Sequence, residues 1–389
     1  MTRGPSEPTR LIRSGSSPDK PARTVGPSIQ KGSTVLLGRA ADLYDTTQPT
    51  YGRGGLGTQE TLISALAELE SAAAVRLFPS GLAAMTGAML AVLKAGDEVL
   101  VTDAAYKPTR RFCENVLKRF GVAVRTYAPR TSPAALMAMA SPATRLVVLE
   151  SPGSLTFEVQ DAPAIAAMAA ARGLLTLMDN TWAAGLYFKP LAHGVDISIQ
   201  ALTKYVGGHS DVFMGSAAAR APALVEALDH AIWDFGWSVA PEDAYQMLRG
   251  LRTLPTRMAR HQQNALAVAR WLSEHPSVAQ VLYPALPGTQ DHALWRRDFT
   301  GAAGVFSIVL RSCATADVYA FLDRLELFGL GFSWGGFESL ALDCDPQFEP
   351  RGYLSRFEGP VIRLNIGLED PDDLIADLGR ALRAIPRHR

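Results

Sequence analysis

The sequence predicts an α/β architecture: a large domain on a mainly parallel sheet, then a smaller C-terminal α+β domain. Three observations predict it. Short runs continuous in Val, Leu and Ile recur at "VRLF" 75–78, "EVLVTD" 98–103, "RLVVLE" 145–150, "LLTLMD" 174–179 and "DISIQAL" 196–202. Such runs mark strands buried on both faces, as parallel sheets require. Ala-rich stretches of helix length separate them, which suits parallel crossovers. From about residue 246 the texture shifts to long helices such as "NALAVARWLSEH", then to a few strands, "GVFSIVL" 304–310 and "VIRLNIGL" 361–368.

Taken in chain order, residues 1–58 are rich in Pro, Ser, Thr, Gly and Arg without periodicity, and read as a poorly structured arm that frays or packs on a neighbour. "ETLISALAELE" then places Leu62, Leu66 and Leu69 at helical spacing, with Glu60, Glu68 and Glu70 on the polar side. The large domain is expected over 59–245 and the small one over 246–389. The final "DDLIADLGRALRAI" sets Leu374, Leu378 and Leu382 at i, i+4 and i+8, an amphipathic helix. No internal repeat interrupts this plan.

Bulk properties exclude several classes. A chain of 389 residues with 48% hydrophobic content can build a sizeable core. Lys plus Arg equal Asp plus Glu at 38 each, so no global field draws the chain to nucleic acid or an anionic membrane. Cys113, Cys313 and Cys344 are few and form no C-x-x-C pair, which fits a reducing compartment, the cytoplasm by default. No apolar run approaches the ~20 residues of a membrane span, and no h-region follows Arg3 and Arg10. No metal site is expected.

In an open α/β sheet ligands gather beyond the carboxyl ends of the strands, and four polar features fall there. Ser80-Gly81 opens an Ala-rich helix, whose free amides and dipole suit a phosphate; the same pair also serves as a plain cap. Tyr106, after "EVLVTD", suits stacking on a flat ring or simple rim packing. Asp179 ends a very apolar strand, where a carboxylate wants a cationic partner such as a protonated pyridine nitrogen, or else caps the next turn. Lys204, in "SIQALTKYVGGHSD", is an ordinary solvated lysine or a desolvated amine able to condense with a carbonyl. Phosphate, ring face, ring nitrogen and aldehyde are the four parts of pyridoxal 5′-phosphate, and each has one candidate here.

Long motifs run in order along the chain: "YGRGG" 51–55, "SGLAA" 80–84, "ESPGSLTFEV" 150–159, "MDNTWAAGL" 178–186, "SIQALTKYVGGHSD" 198–211, "RGLRTL" 249–254, "YPALPG" 283–288, "SWGGFESL" 333–340 and "IRLNIGLED" 362–370. By these the chain resembles the Cys/Met metabolism family of fold-type I pyridoxal-phosphate enzymes, and within it the bacterial cystathionine β-lyases. The resemblance implies Lys204 as the residue linked to the cofactor aldehyde and as catalytic base, Asp179 at the pyridine nitrogen, and Tyr106 on the ring as a further catalytic group. It implies phosphate contacts from the Gly81 and Leu82 amides and the Thr203 hydroxyl. It implies that Tyr51 and Arg53 reach the cofactor of a neighbouring subunit, Tyr51 also touching substrate, within a homo-oligomer that is a dimer of dimers. Arg363 would clamp the substrate α-carboxylate, with Ser333 and Trp334 lining the same pocket, and His209 is expected to be structural.

The implied reaction is β-elimination of L-cystathionine to L-homocysteine, pyruvate and ammonia, in methionine biosynthesis. γ-Directed relatives share the cofactor residues; Gly153-Ser154 in "ESPGSLTFE" and Ala201 in "SIQALTK" are the positions that favour the β-lyase over a γ-lyase or γ-synthase. Two departures bear on substrate breadth among cysteine S-conjugates: Gly54 stands where the β-lyases often have a second arginine, and Trp233 where the family often has a tyrosine. A cofactor-binding regulator with little turnover is the reading from another class, and the presence of both Lys204 and Arg363 disfavours it.

Overall fold

The computed structural model describes residues 4–14, 24–45, 47–348, 351–352 and 357–385. Twelve strands among them form two sheets. The larger holds β1 (Ala74–Phe78), β2 (Glu98–Thr102), β3 (Ala123–Tyr127), β4 (Thr144–Glu150), β5 (Leu175–Asp179), β6 (Ile197–Ala201) and β7 (Gly215–Ala219), in the order β1-β7-β6-β5-β4-β2-β3. β3, β2, β4, β5 and β6 are parallel neighbours, whereas β7 runs antiparallel to both β6 and β1. The predicted "VRLF" strand therefore pairs only through β7, a strand that the small-residue run "GSAAA" does not advertise.

Helices cover both faces of this sheet: α1 (Glu7–Arg13), α2 (Gly57–Glu70), α3 (Gly81–Val92), α4 (Lys107–Phe112), α5 (Pro133–Met139), α6 (Ala162–Ala170), α7 (Pro222–Phe235) and α8 (Pro241–Ser273). Alternation along each strand sorts the side chains between two cores. Val99, Val101, Leu146 and Val148 pack with α3 and α7, while Leu100, Val147 and Leu149 face the side of α2, α6 and α8.

The remaining strands, β8 (Val278–Leu282), β9 (Val305–Leu310), β10 (Gly329–Leu330), β11 (Leu340–Asp343) and β12 (Val361–Asn365), form a smaller sheet in the order β10-β11-β12-β9-β8. It is antiparallel except for β10 with β11. α9 (His292–Asp298), α10 (Thr315–Leu322) and α11 (Pro371–Ala381) accompany it. α8 begins at Pro241, so the expected division at 245/246 falls within its second turn.

Two expectations change. The arm is not wholly irregular: α1 buries Leu11 completely against the main core, a burial contributing roughly 2 kcal/mol. Glu70, expected on the polar side of α2, is buried at its last turn and accepts hydrogen bonds from Ser198 and Gln200 of β6. The carboxyl end of α2 abuts the sheet, so the position that looks solvated in a helical projection meets two strand side chains, and burial raises its pKa. No helix among the described residues is long and apolar enough to cross a membrane.

Candidate active site

β5 and β6 end side by side, and their last residues deliver the two central groups. Asp179 closes β5, and a tight turn carries Lys204 three residues past Ala201, its amide bonded to the Ala201 carbonyl at 3.0 Å. Both line a cavity of about 230 Å³ with Ser80, Gly81, Leu82, Tyr106, Thr203, Trp334 and Arg363. The sheet-end location is the one expected of an open α/β sheet.

The electrostatics of this cavity are unusual. The Lys204 Nζ donates to Ser333 Oγ at 2.9 Å and lies 5.4 Å from the centre of the Trp334 ring. Burial, reinforced by the Arg363 charge and opposed by Asp179, lowers its pKa to about 8. Asp179 is shifted the other way: burial raises it, and hydrogen bonds from Thr181 hold it back. Both of those bonds fall on Oδ1, from the Thr181 amide at 3.0 Å and its hydroxyl at 2.5 Å. No described residue hydrogen-bonds Oδ2. The same Thr181 hydroxyl accepts from the Ala201 amide at 2.9 Å, tying the two strand ends together.

Beside Asp179 in register stands Glu150, the last residue of β4. It accepts from the Tyr106 amide at 2.7 Å, and burial, then the Asp179 charge, raises its pKa well above the usual carboxylate range. Tyr106 itself caps α4 at the mouth of the cavity, 47% exposed, its ring free to cover whatever enters.

At the floor, α3 starts at Gly81 with Ser80 as cap, its hydroxyl accepting from the Ala83 amide at 3.1 Å. The Gly81 and Leu82 amides have no carbonyl four residues back to bond, as in any first helical turn. A Cβ on Gly81 would lie 2.4 Å from that of Ala201, so only glycine lets the helix start come this close to β6. Thr203 is present too, but its hydroxyl is engaged with Met214, accepting from the amide at 3.0 Å and donating to the carbonyl at 3.2 Å.

The opposite wall comes from the small sheet. Arg363, on β12, is 7% exposed, and its Nη2 donates to the carbonyls of Phe332 at 2.7 Å and Ser333 at 2.9 Å. No described residue accepts from its Nε or Nη1. α8 braces both walls: Arg257 donates to the Tyr205 and Val206 carbonyls at 2.6 and 3.2 Å, just past Lys204, while His261 and Asn264 hold the Ile366 and Gly367 carbonyls just past Arg363 at 2.8 and 3.0 Å.

Of the residues expected at the site, Lys204, Asp179, Tyr106, Gly81, Leu82, Thr203, Arg363, Ser333 and Trp334 meet here. Tyr51 and Arg53 do not: they line a separate cavity with Trp233 and Gln59. His209 lies outside, its Nδ1 donating to the Gly207 carbonyl at 2.7 Å. Thr181, Glu150 and Phe213, all of which line the cavity, escaped the sequence reading. Thr181 was within reach of it, because a threonine two residues after a strand-end aspartate is a ready donor to that carboxylate.

The donor set fits pyridoxal phosphate: unspent helix-start amides over a glycine-only contact, a carboxylate oxygen without a donor, and a lowered amine within one enclosure. Among the described residues no group of three or more His, Cys, Asp or Glu could hold a metal ion.

Comparison with known proteins agrees. The model of the Cys/Met metabolism PLP-dependent enzymes matches residues 8–383. A cystathionine beta-lyase of Escherichia coli K12 is 42% identical over 95% of this chain and 96% of its own. An L-alanine/L-glutamate racemase of Wolbachia pipientis is 38% identical over 98% of each. The crystal structure of a cystathionine gamma-lyase from Lactobacillus plantarum superposes with a TM-score of 0.89 at 31% identity, covering 98% of this chain and 99% of that one. The chain belongs to the Cys/Met metabolism enzymes, a fold-type I family whose cofactor is pyridoxal phosphate.

Proposed function

We propose that this chain is a carbon–sulfur lyase that eliminates the β-substituent of L-cystathionine, giving L-homocysteine, pyruvate and ammonia for methionine biosynthesis. The observation that carries the reading is the convergence of Lys204, Asp179 and Arg363 on one cavity, with the amine lowered to about 8. Similarity to the Escherichia coli cystathionine beta-lyase, together with Gly153-Ser154 and Ala201, favours the β-position over the γ.

When bound, pyridoxal phosphate supplies an electron sink for the pair left at a substrate α-carbon. Asp179 Oδ2 offers the negative charge that keeps a ring nitrogen protonated. Gly81 and Leu82 present amides to a phosphate, and Tyr106 presents a ring face. Arg363 offers Nε and Nη1 as a two-pronged donor edge for the substrate carboxylate, because Nη2 is already spent on carbonyls. Held there, the substrate exposes its α-hydrogen to Lys204 Nζ, which, lowered to about 8, reaches its unprotonated form far more readily than an ordinary lysine and in that form takes the proton. The same amine returns a proton to the departing sulfur, so that a thiol and not a thiolate leaves. Water then hydrolyses the released enamine to pyruvate and ammonia.

Because Tyr51 and Arg53 lie outside their own chain's cavity, we infer a homo-oligomer, a dimer of dimers, in which they complete a neighbour's site. The proposed organisation is an arm over 1–58, a cofactor-binding domain over 59–245 and a closing domain over 246–389. Three free cysteines, two buried with thiols pushed up to about 12, suit a cytoplasmic enzyme.

Incubation of the purified, cofactor-loaded protein with L-cystathionine, and in parallel with L-alanine, tests the reading. Pyruvate with homocysteine is expected. Release of 2-oxobutyrate with cysteine would transfer the chain to the γ-lyases, and intact cystathionine beside racemised alanine would align it with the Wolbachia relative.

A further inference from the structure

Arg53 sits in a short 3-10 turn, Gly52–Gly54, outside the cavity that holds Lys204. Its guanidinium carbon lies 4.4 Å from the centre of the Trp233 ring, a cation–π distance, and its Nη1 donates to the Trp233 carbonyl at 3.0 Å. No carboxylate among the described residues lies within ion-pair distance of it. The cation is thus held by an aromatic face and a carbonyl, both of which orient it and neither of which neutralises it.

Gly54 makes that hold possible. A Cβ there would lie 3.0 Å from Cζ2 and 3.4 Å from Cη2 of Trp233, closer than ordinary contact, so the indole occupies the space a side chain at 54 would take. Trp233 lies in the last turn of α7 and is 42% exposed, its remaining surface facing the Gly52–Gly54 turn. The two positions that stand apart from the β-lyase pattern are therefore in contact with each other and with Arg53.

We propose that Trp233, admitted by Gly54, is a positioning residue: it presets the Arg53 guanidinium to receive the phosphate of pyridoxal phosphate in the Lys204 cavity of a second copy. This rests on the shared-site reading above. Preset, the long arginine side chain gives up less rotamer freedom when it meets the anion, so affinity rises without an added contact to the ligand. Any larger side chain at position 54, a second arginine included, would compete with the indole for this space.

The test measures the dissociation constant of pyridoxal 5′-phosphate from the full-length protein by equilibrium absorbance, with mass determined in the same buffer. Arg53→Ala should weaken binding about 10- to 100-fold, the range for a charge-assisted hydrogen bond. Trp233→Leu should weaken it about two- to fivefold, the size of a cation–π contact, and Trp233→Tyr should largely restore it. Gly54→Ala should show a loss like that of Trp233→Leu. In an Arg53→Ala background Trp233→Leu should add nothing, because Trp233 acts through Arg53. An additive loss in that background, or unchanged affinity in Trp233→Leu, overturns the clamp while leaving the shared site intact. A monomeric wild type, or unchanged affinity in Arg53→Ala, overturns the shared site and the clamp with it.

Discussion

On the large-domain side of the cavity, Asp179 and Lys204 each meet another side chain: the Thr181 hydroxyl donates to the first, and Ser333 accepts from the second. On the small-domain side, Arg363 is pinned by the main-chain carbonyls of Phe332 and Ser333. Burial has moved the pKa of Lys204 to about 8, within reach of a working pH, whereas an arginine stays charged at any such pH. One wall is built to exchange protons and the other to hold a carboxylate still. Substitutions on the two walls should therefore fail in different ways.

The largest effect is expected at Lys204. In Lys204→Ala the turnover of cystathionine should drop by roughly 10³-fold or more, and the visible absorbance of the lysine-linked cofactor should vanish. A retained visible band with wild-type turnover would place the covalent role elsewhere. Asp179→Asn comes next, with about 10²-fold lower kcat for loss of the charge facing the ring nitrogen. Its apo form should nevertheless melt higher at neutral pH. A carboxyl whose folded pKa is raised destabilises the fold above that pKa, and the penalty fades as pH falls through it, so an amide removes a cost. Calorimetry of the two apo forms checks the sign, and a lower Tm in the variant would contradict the burial argument.

Arg363→Lys should lower kcat/KM about 10- to 100-fold, chiefly through KM, because a point charge replaces a two-pronged donor edge. An equal loss in kcat would mean that this wall also does chemistry. The smallest effect is expected for Ser333→Ala. Wild-type apoprotein should capture pyridoxal phosphate faster as pH rises, levelling off above about 8 as the Lys204 amine loses its proton. Ser333 accepts from that amine and so favours its charged form. Its removal should move the midpoint below 8 and change capture at pH 7 by only a few-fold, readable by stopped-flow absorbance. An upward shift would reverse the assignment of donor and acceptor.

Much of this contrast was legible before the structure, for identifiable reasons. Continuous apolar runs marked β2, β4, β5 and β6, and a charge at the end of such a run had to be unusual, which found Asp179. β7 hid because glycine, serine and alanine carry no strand signal, yet its small residues are what the floor needs: a Cβ on Gly215 would fall 2.3 Å from the Ser80 carbonyl oxygen. Glu150 hid because a glutamate closing a strand reads as the start of a solvated turn. Glu70 misled for a related reason, since a helical projection shows which face is polar but not which end of the helix meets a sheet. Arg363 was found through resemblance alone, nothing in "VIRLNIGL" distinguishing it from a solvated strand arginine.

α8 grips the backbone beyond Lys204 with one stretch and the backbone beyond Arg363 with another. For anyone recombining this protein with its relatives, the useful seam is not the junction of the two sheets. A graft that exchanged the small sheet but kept the native α8 would meet foreign carbonyls at His261 and Asn264, while one that exchanged α8 as well would meet them at Arg257. Chimeras should succeed only where both sets of carbonyls are already superimposable, so the helix acts as a compatibility filter on what can be shuffled within the family.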